Sequence, residues 1–522
     1  MIASADPLAT ALELAFVVYA VGVTGFIVLE RRRPTATIAL VLALVFLPIV
    51  GLLVYVVFSR RTRRRVRRRQ RRPINPVDET RHLATLDELP PDLPDSARGL
   101  VRLALETAAA PLRRGEEVRL LTTAATAFEA FAAAIQSATR SIHCEFYIWH
   151  DDETARRLTA MLTAQAEAGV KVRVLYDHLG SLGLPDSHFE KLRAAGGQVA
   201  VFGRLRIPMR LGRVRFNYRN HRKIMTVDGR LGILGGLNIG NEYLDPTTEH
   251  RTWRDLAISL EGDAVIGLEA IFLEDWLAST GEVLDLSGER ASVPHRFDPR
   301  RPLPKDRAWT RKKAQRARAH ADEANPFHPQ IAAPVVSEGP LLQIIPSGPD
   351  LPLLSTISAQ FSAAIATANH RVWLATPYFI PDEPLLLILR TAALRGVDLR
   401  ILVPHPRHND VRVIGWAARS YYDEVLGTGG RIFEYERGML HAKLLIVDDI
   451  CALGSANMDI RSFHINYEVT GMFYDPDVTR ALAQVFAEDL EGASEVLVAD
   501  RADPSFRTRL FESGARVLSP LL

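Results

Sequence analysis

Leu8 to Leu29 is apolar apart from Glu13 and two threonines, and Ala36 to Phe58 carries no charged residue at all. Each run is long enough to cross a hydrocarbon core of roughly 30 Å as a helix. Only Glu30–Thr35 lies between them, so the pattern predicts a tight transmembrane hairpin. Pro48 and Gly51 suit a kinked membrane helix, and Met1–Pro7 lacks the basic start of a cleaved signal peptide. Pro73–Leu93 is rich in Pro, Asp and Glu and reads as a linker, with a helical segment around Leu100–Ala109. From Ser141 onward the pattern alternates: strand Ile142–Trp149, helix Glu153–Ala168, strand Val170–Tyr176. The order returns as strand Val372–Ile380, helix Pro384–Arg395 and strand Val397–Val403.

The return extends to the letters. Gly169-Val-Lys-Val-Arg-Val-Leu175 matches Gly396-Val-Asp-Leu-Arg-Ile-Leu402, and Phe146-Tyr147-Ile148 with Asp151 matches Tyr378-Phe379-Ile380 with Asp382. A period of about 220 residues is far too long for a solenoid. Two similar α/β lobes are predicted, folded as a pseudo-twofold dimer within one chain. The 522 residues accommodate them together with the appendages.

Each lobe contributes one chemical phrase. His221-Arg222-Lys223-Ile-Met-Thr-Val-Asp228 leads to Gly235-Gly236-Leu237-Asn238, and His441-Ala442-Lys443-Leu-Leu-Ile-Val-Asp448 leads to Gly454-Ser455-Ala456-Asn457. Two histidines and two lysines meeting at the seam suit one phosphodiester: a nucleophile, a proton donor and two cations for the phosphoryl oxygens. Lys223 and Lys443 stand two residues beyond their histidines and share their face. Asn238 and Asn457 can donate to phosphoryl oxygens. Asp228 and Asp448 are read as holding the strand–turn geometry. Neither cysteine, Cys144 or Cys451, has metal-ligand spacing; both read as core thiols, and no metal or cofactor is expected. Neither a dinucleotide fingerprint nor a Walker phrase is present.

The duplicated phrase resembles the HKD motif of the phospholipase D superfamily. The paired apolar spans, Asn217–Lys223, Gly235-Gly236 with Asn241-Glu242-Tyr243, and Trp253-Arg254-Asp255 resemble the bacterial cardiolipin synthases. So do Ser347–Asp350, Thr376–Pro381, and Arg461-Ser462-Phe463 with Asn466 and Glu468. The resemblance implies two tandem α/β/α sandwich lobes behind an N-terminal membrane hairpin. It divides the chain into 1–72 (hairpin and basic juxtamembrane segment), 73–110 (linker and helix), 111–297 (first lobe), 298–334 (basic linker) and 335–522 (second lobe). It implies phosphatidyl transfer from one phosphatidylglycerol to another, through a phosphohistidine on His221 with His441 as acid and base. The alternatives are a phospholipase D-type hydrolase and a transphosphatidylase with another lipid acceptor. It assigns Asp255 to orient His221 and Glu468 to orient His441.

Charge refines the picture. Residues 1–72 hold 13 arginines against three acidic residues, whereas the remainder holds 51 basic and 58 acidic. A mildly acidic body disfavours nucleic acid as partner; anionic phospholipid and the membrane are the partners expected. Ten arginines in Arg60–Arg72 against three in the hairpin loop place the catalytic body on the cytoplasmic side of a bacterial inner membrane. The run can also lie on anionic headgroups. Arg204–Arg222 interleaves basic and apolar residues ahead of His221, as a solvated strand edge or as an interfacial lip feeding lipid to the site. Asp298–Pro334 reads as a solvated basic linker.

Overall fold

The computed structural model describes residues 7–29, 34–47, 51, 89–90, 93–204, 217–244, 253–284, 286, 335–351 and 355–519. The N-terminal part and the main body, 72–204 with 218–522, form separate compact units.

In the first, Pro7–Val28 and Pro34–Phe46 are helices. They pack through Ile27, Leu40 and Leu44, and the Tyr19 hydroxyl donates to the Leu44 carbonyl at 2.8 Å. Their outer faces carry exposed Leu14, Val18, Val21, Ile38, Leu42 and Phe46. Among the described residues no helix is long and apolar enough to cross a membrane. Most of the second predicted span beyond Leu47, the arginine run 60–72 and the linker 298–334 lie outside the described residues.

The body is built from two mixed sheets. Strands β1 (Arg113–Arg114), β2 (Glu117–Leu121), β3 (Ser141–Phe146), β4 (Lys171–Asp177), β5 (Gln198–Phe202), β6 (Ile224–Val227), β7 (Leu231–Gly235) and β8 (Ala257–Glu261) come first. The later strands are β9 (Val335–Glu338), β10 (Leu341–Ser347), β11 (Arg371–Ala375), β12 (Asp398–Pro404), β13 (Arg431–Tyr435), β14 (Leu444–Val447), β15 (Ile450–Gly454), β16 (Glu468–Phe473) and β17 (Ala493–Val496). One sheet runs β5-β4-β3-β6-β7-β8-β2-β9, the other β1-β10-β16-β15-β14-β11-β12-β13-β17. Read from opposite ends the two orders coincide, strand for strand, apart from the additional β17. In each, three parallel strands (β3, β4, β5 and β11, β12, β13) join an antiparallel half. Those parallel strands are mostly buried, and polar residues within them such as His143, Glu145, Arg173 and Glu434 are buried too. Asp152 and Asp382 cap the equivalent helices Glu153–Glu167 and Glu383–Leu394, each accepting from a backbone N–H three residues on.

The lobes are not separable at the expected boundaries. β9, at the start of the second lobe's sequence, pairs with β2 in the first lobe's sheet, while β1 pairs with β10 in the second. Each sheet thus borrows its last strand on that side from the other lobe's sequence. Helix Asp95–Ala108, assigned to the linker segment, also belongs with the second lobe. Its Ala97, Leu100, Val101 and Ala104 pack with Ile357, Phe361 and Ala364, and Gln343 donates to the carbonyls of Val101 and Ala110. A further apolar cluster joins Ile224, Leu234 and Ile258 of one lobe to Leu444, Leu453 and Val469 of the other, directly behind the seam.

Candidate active site

His221–Lys223 and His441–Lys443 are extended segments entering β6 and β14. Each is held by backbone pairing with the opposite lobe. His221 N–H donates to the Tyr467 carbonyl at 2.9 Å and Tyr467 N–H to the Arg219 carbonyl at 2.8 Å. Likewise His441 N–H donates to the Arg254 carbonyl at 2.7 Å and Arg254 N–H to the Met439 carbonyl at 2.8 Å.

This lacing corrects the carboxylate assignment. His221 Nδ1 lies 3.0 Å from Glu468 Oε2, and His441 Nδ1 lies 2.6 Å from Asp255 Oδ2. The pairs are crossed between lobes, opposite to the expectation. Within a lobe, Asp255 leads into β8 and His221 into β6, with β7 between them, a separation of about 10 Å at the usual strand spacing. The segment laced across the seam is closer, so the following residue of the other lobe supplies the acid. With Nδ1 engaged, each imidazole presents Nε2 to the cleft.

The two acids are supported differently. Glu468 Oε2 also accepts from Ser455 Oγ at 2.6 Å, whereas Asp255 Oδ1 accepts from Leu256 N–H at 2.8 Å. Where Ser455 stands in one trailer, Gly236 stands in the other, and a Cβ there would come 2.2 Å from Asp255 Oδ1. Glycine leaves the space the carboxylate occupies.

Burial dominates the electrostatics. It pushes His221 down to about 4 against the opposing charge of Glu468. It holds His441 well below the ordinary imidazole value, reinforced by Lys443, Lys223 and His221. In the empty cleft burial therefore favours the neutral rings, as a nucleophile requires, while an entering phosphodiester anion favours the protonated form that His441 needs to act as acid. Burial lowers Lys443 to about 8 despite Asp255 nearby and drives Lys223 well below a free lysine. Asp255 rises to about 6, again through burial, with Lys443 opposing. Both ammonium groups donate to the carbonyl of their own histidine, Lys223 at 2.6 Å, which keeps them on the histidine face. Cationic groups crowded in a buried cleft are stabilised by an entering anion, and a phosphodiester is an anion of suitable shape.

The remaining expected residues divide in two. Asp228 accepts from the N–H groups of Thr139, Arg140 and Ser141 and from Thr139 Oγ1, while Asp448 accepts from the N–H groups of Asn369, His370 and Arg371. Both have positive φ, 54° and 51°, at the β-turn that follows the motif strand. They tie that turn to the entry of β3 or β11 and do not reach the histidines. Asn238 Oδ1 accepts from Ile148 N–H at 3.2 Å, and the buried Asn457 Oδ1 has no hydrogen-bond partner among the described residues.

Several residues of the site were not assigned a role from the sequence. Tyr147 meets His221 edge to face at 4.9 Å with Lys223 Nζ 5.3 Å from its ring centre, and Trp253 lies 4.8 Å from His441. Arg222 is buried, pairs with Asp275, and donates to the carbonyls of Glu468 (3.1 Å) and Ser347 (3.2 Å). It ties the first motif to the strand bearing its carboxylate; its counterpart is Ala442. Arg219 is buried against Asp177. The described end of the Arg204–Arg222 lip thus turns inward, because Asp177 and Asp275 draw Arg219 and Arg222 into the body. Residues 205–216 of the lip lie outside the described residues.

A family model described as "Cardiolipin synthase, PLD-like domain" matches residues 131–276 and 361–490, one stretch in each lobe. The cardiolipin synthase of Geobacillus kaustophilus is 36% identical over 501 residues, covering 95% of this chain and 90% of that one. Cardiolipin synthase 2 of Bacillus anthracis is 35% identical over 499 residues, covering 95% and 88%. Among solved structures, the phosphatidylserine synthase of Haemophilus influenzae Rd KW20 superposes over 82% of this chain and all of its own, with a TM-score of 0.55 at 16% identity. That likeness is one of fold.

Proposed function

The chain belongs to the cardiolipin synthase family of phospholipase D-like proteins, and we propose that it transfers a phosphatidyl group from one phosphatidylglycerol to another, giving cardiolipin and glycerol. The observation that carries the reading is the crossed pair of buried imidazole–carboxylate couples, flanked by two lysines. In the first half-reaction His221 Nε2 attacks phosphorus. The P–O bond to glycerol breaks, and the departing oxygen takes a proton from His441, so a phosphatidyl-histidine and free glycerol result. In the second, neutral His441 accepts the proton of a second phosphatidylglycerol hydroxyl. That oxygen attacks phosphorus and the P–N bond breaks. Two inversions give net retention. Lys223, Lys443, Asn238 and Asn457 face the phosphoryl oxygens, and division into halves means that donor and acceptor need not be bound together. His221 is preferred as nucleophile because Arg222 anchors its segment to the strand bearing Glu468, an anchor Ala442 cannot supply.

Residues 1–72 are proposed to form a membrane-spanning hairpin with the body on the cytoplasmic face. The exposed apolar sides of the two N-terminal helices and the ten arginines that follow support it. Purified enzyme on phosphatidylglycerol vesicles tests the catalytic reading: cardiolipin and glycerol in equal amounts are expected. Phosphatidic acid as the main product would make the protein a hydrolase.

A further inference from the structure

Helix Phe506–Leu518 packs on the second lobe with an inverted polarity. Its inward residues include Glu512, which pairs with Arg501 at 2.8 Å, and Ala515; Ser519, just beyond its end, bonds to the Tyr421 hydroxyl at 3.1 Å. At 3.6 residues per turn, Phe506, Leu510 and Val517 fall on one stripe on the opposite side. They are 75%, 57% and 79% exposed. A surface helix ordinarily turns such a stripe inward. Arg507 and Arg509 are also exposed and have no ion-pair partner among the described residues.

The helix stands at the catalytic end of the sheet. Leu444, directly after Lys443, pairs with Ala375 at the end of β11, so the second motif opens where β11, β12 and β13 finish. Beyond β12, Asp410 accepts from the Tyr378 hydroxyl at 2.7 Å and its charge acts on Lys443. Helix Arg412–Arg419 begins two residues later. The C-terminal helix runs alongside in the same direction, with Phe511 stacked on Trp416 at 4.9 Å and Ser519 on Tyr421. Its first turn, with Phe506 and Arg507, therefore points toward the site rim near the exposed Arg412.

We infer that helix Phe506–Leu518 is an interfacial anchor that seats the active-site rim of the second lobe on an anionic lipid surface. Phe506, Leu510 and Val517 enter the acyl boundary while Arg507 and Arg509 meet headgroup phosphates. A second copy of the chain is a poorer occupant, because a twofold contact would set these arginines against each other. The inference rests on the lipid-transfer reading for the identity of the lipid but not for its test.

The full chain in nanodiscs provides that test. The two native cysteines are buried, so L510C can be labelled alone with an environment-sensitive fluorophore. Brominated acyl chains should quench the probe in phosphatidylglycerol discs and do so far less in phosphatidylcholine discs. The double variant L510D/V517D should turn over monomeric short-chain phosphatidylglycerol as wild type does, yet lose about tenfold or more on vesicles. A probe unquenched in both discs, or equal vesicle activity in the double variant, overturns the inference. So does an unquenched probe together with a dimer-to-monomer shift on L510D in detergent, which would assign the stripe to a second copy. If wild type makes no cardiolipin, the catalytic reading fails while quenching still decides the role of the helix.

Discussion

Glu468→Gln, set against Asp255→Asn, tests the crossed pairing directly. Both changes are nearly isosteric and both carboxylates are fully buried, so packing is preserved while one negative charge is removed. In Glu468→Gln, the Ser455 hydroxyl still needs an acceptor and takes the amide oxygen. The amide NH₂ is then turned toward His221 Nδ1, which must become the acceptor and move its proton to Nε2, the atom required for attack. Loss of a charge-assisted hydrogen bond of this kind costs about 1.5–3 kcal/mol, or roughly 10- to 150-fold in rate, with the wrong tautomer adding to it. The pH profile gives an independent reading. Activity falls as pH drops through the His221 value of about 4, and Glu468 is the group that raises that value. Removing its charge should shift the acid limb to still lower pH while the plateau falls. The assay is single-turnover formation of phosphatidyl-histidine from a donor with an activated leaving group, which needs little proton donation. Glu468→Gln should slow adduct formation by that factor, whereas Asp255→Asn should largely spare it and slow transfer to the acceptor. If Asp255→Asn blocks the adduct and Glu468→Gln does not, then either the pairing or the choice of nucleophile is wrong.

Lys443, lowered to about 8 by burial, is charged below that value and loses its charge as pH rises through it, so the basic limb of activity should fall near pH 8. Lys443→Arg, whose residual activity keeps its charge, should lose that limb, and an unchanged limb would assign it elsewhere. Gly236→Ala puts a methyl group into the space of the Asp255 carboxylate and should cut steady-state transfer by about 100-fold with little change in substrate KM. Catalysis should be indifferent to EDTA, because the proposed mechanism uses Lys223 and Lys443 in place of a metal at the phosphoryl oxygens; inactivation reversed by one specific divalent ion would refute this. A phosphatase fused at the C-terminus should be inactive and a cytoplasmic fluorescent reporter active, and the reverse would invert the topology.

The alternating architecture was legible because β4, β11 and β12 are short, largely apolar segments rich in Val, Leu and Ile, each broken by at most a few polar residues. The helices that follow announce themselves through Asp152 and Asp382. The motif residues were legible because the phrase occurs twice, and repetition excludes chance where a single histidine could not. What the letters did not carry is which lobe's acid serves which histidine. Asp255 and Glu468 occupy equivalent places, and only the lacing of Arg254 and Tyr467 across the seam decides between them. Arg222 hid as the variable letter of its motif, since nothing local distinguishes a buried, paired arginine from a solvated one. Strand β1 is two arginines long and has no periodicity to detect. The C-terminal helix escaped notice because its pattern is amphipathic, and a sequence does not say which side of such a helix faces out.

The exchange of β1 and β9 bears on how the two halves depend on each other. Each half of the polypeptide carries, at its leading end, the strip that finishes the other half's sheet, so the halves are interlocked as well as abutted. Severing the chain in the 298–334 segment would leave that interlock intact, since none of its bonds runs through the cut. Either fragment made by itself would present an unfilled sheet edge and an orphan strand, the usual recipe for aggregation. Made together, the fragments could restore each other, as two subunits of a strand-swapped dimer do. The covalent join is then chiefly a means of fixing stoichiometry and of letting each half drift apart in sequence, as Ser455 and Gly236, or Arg222 and Ala442, have done.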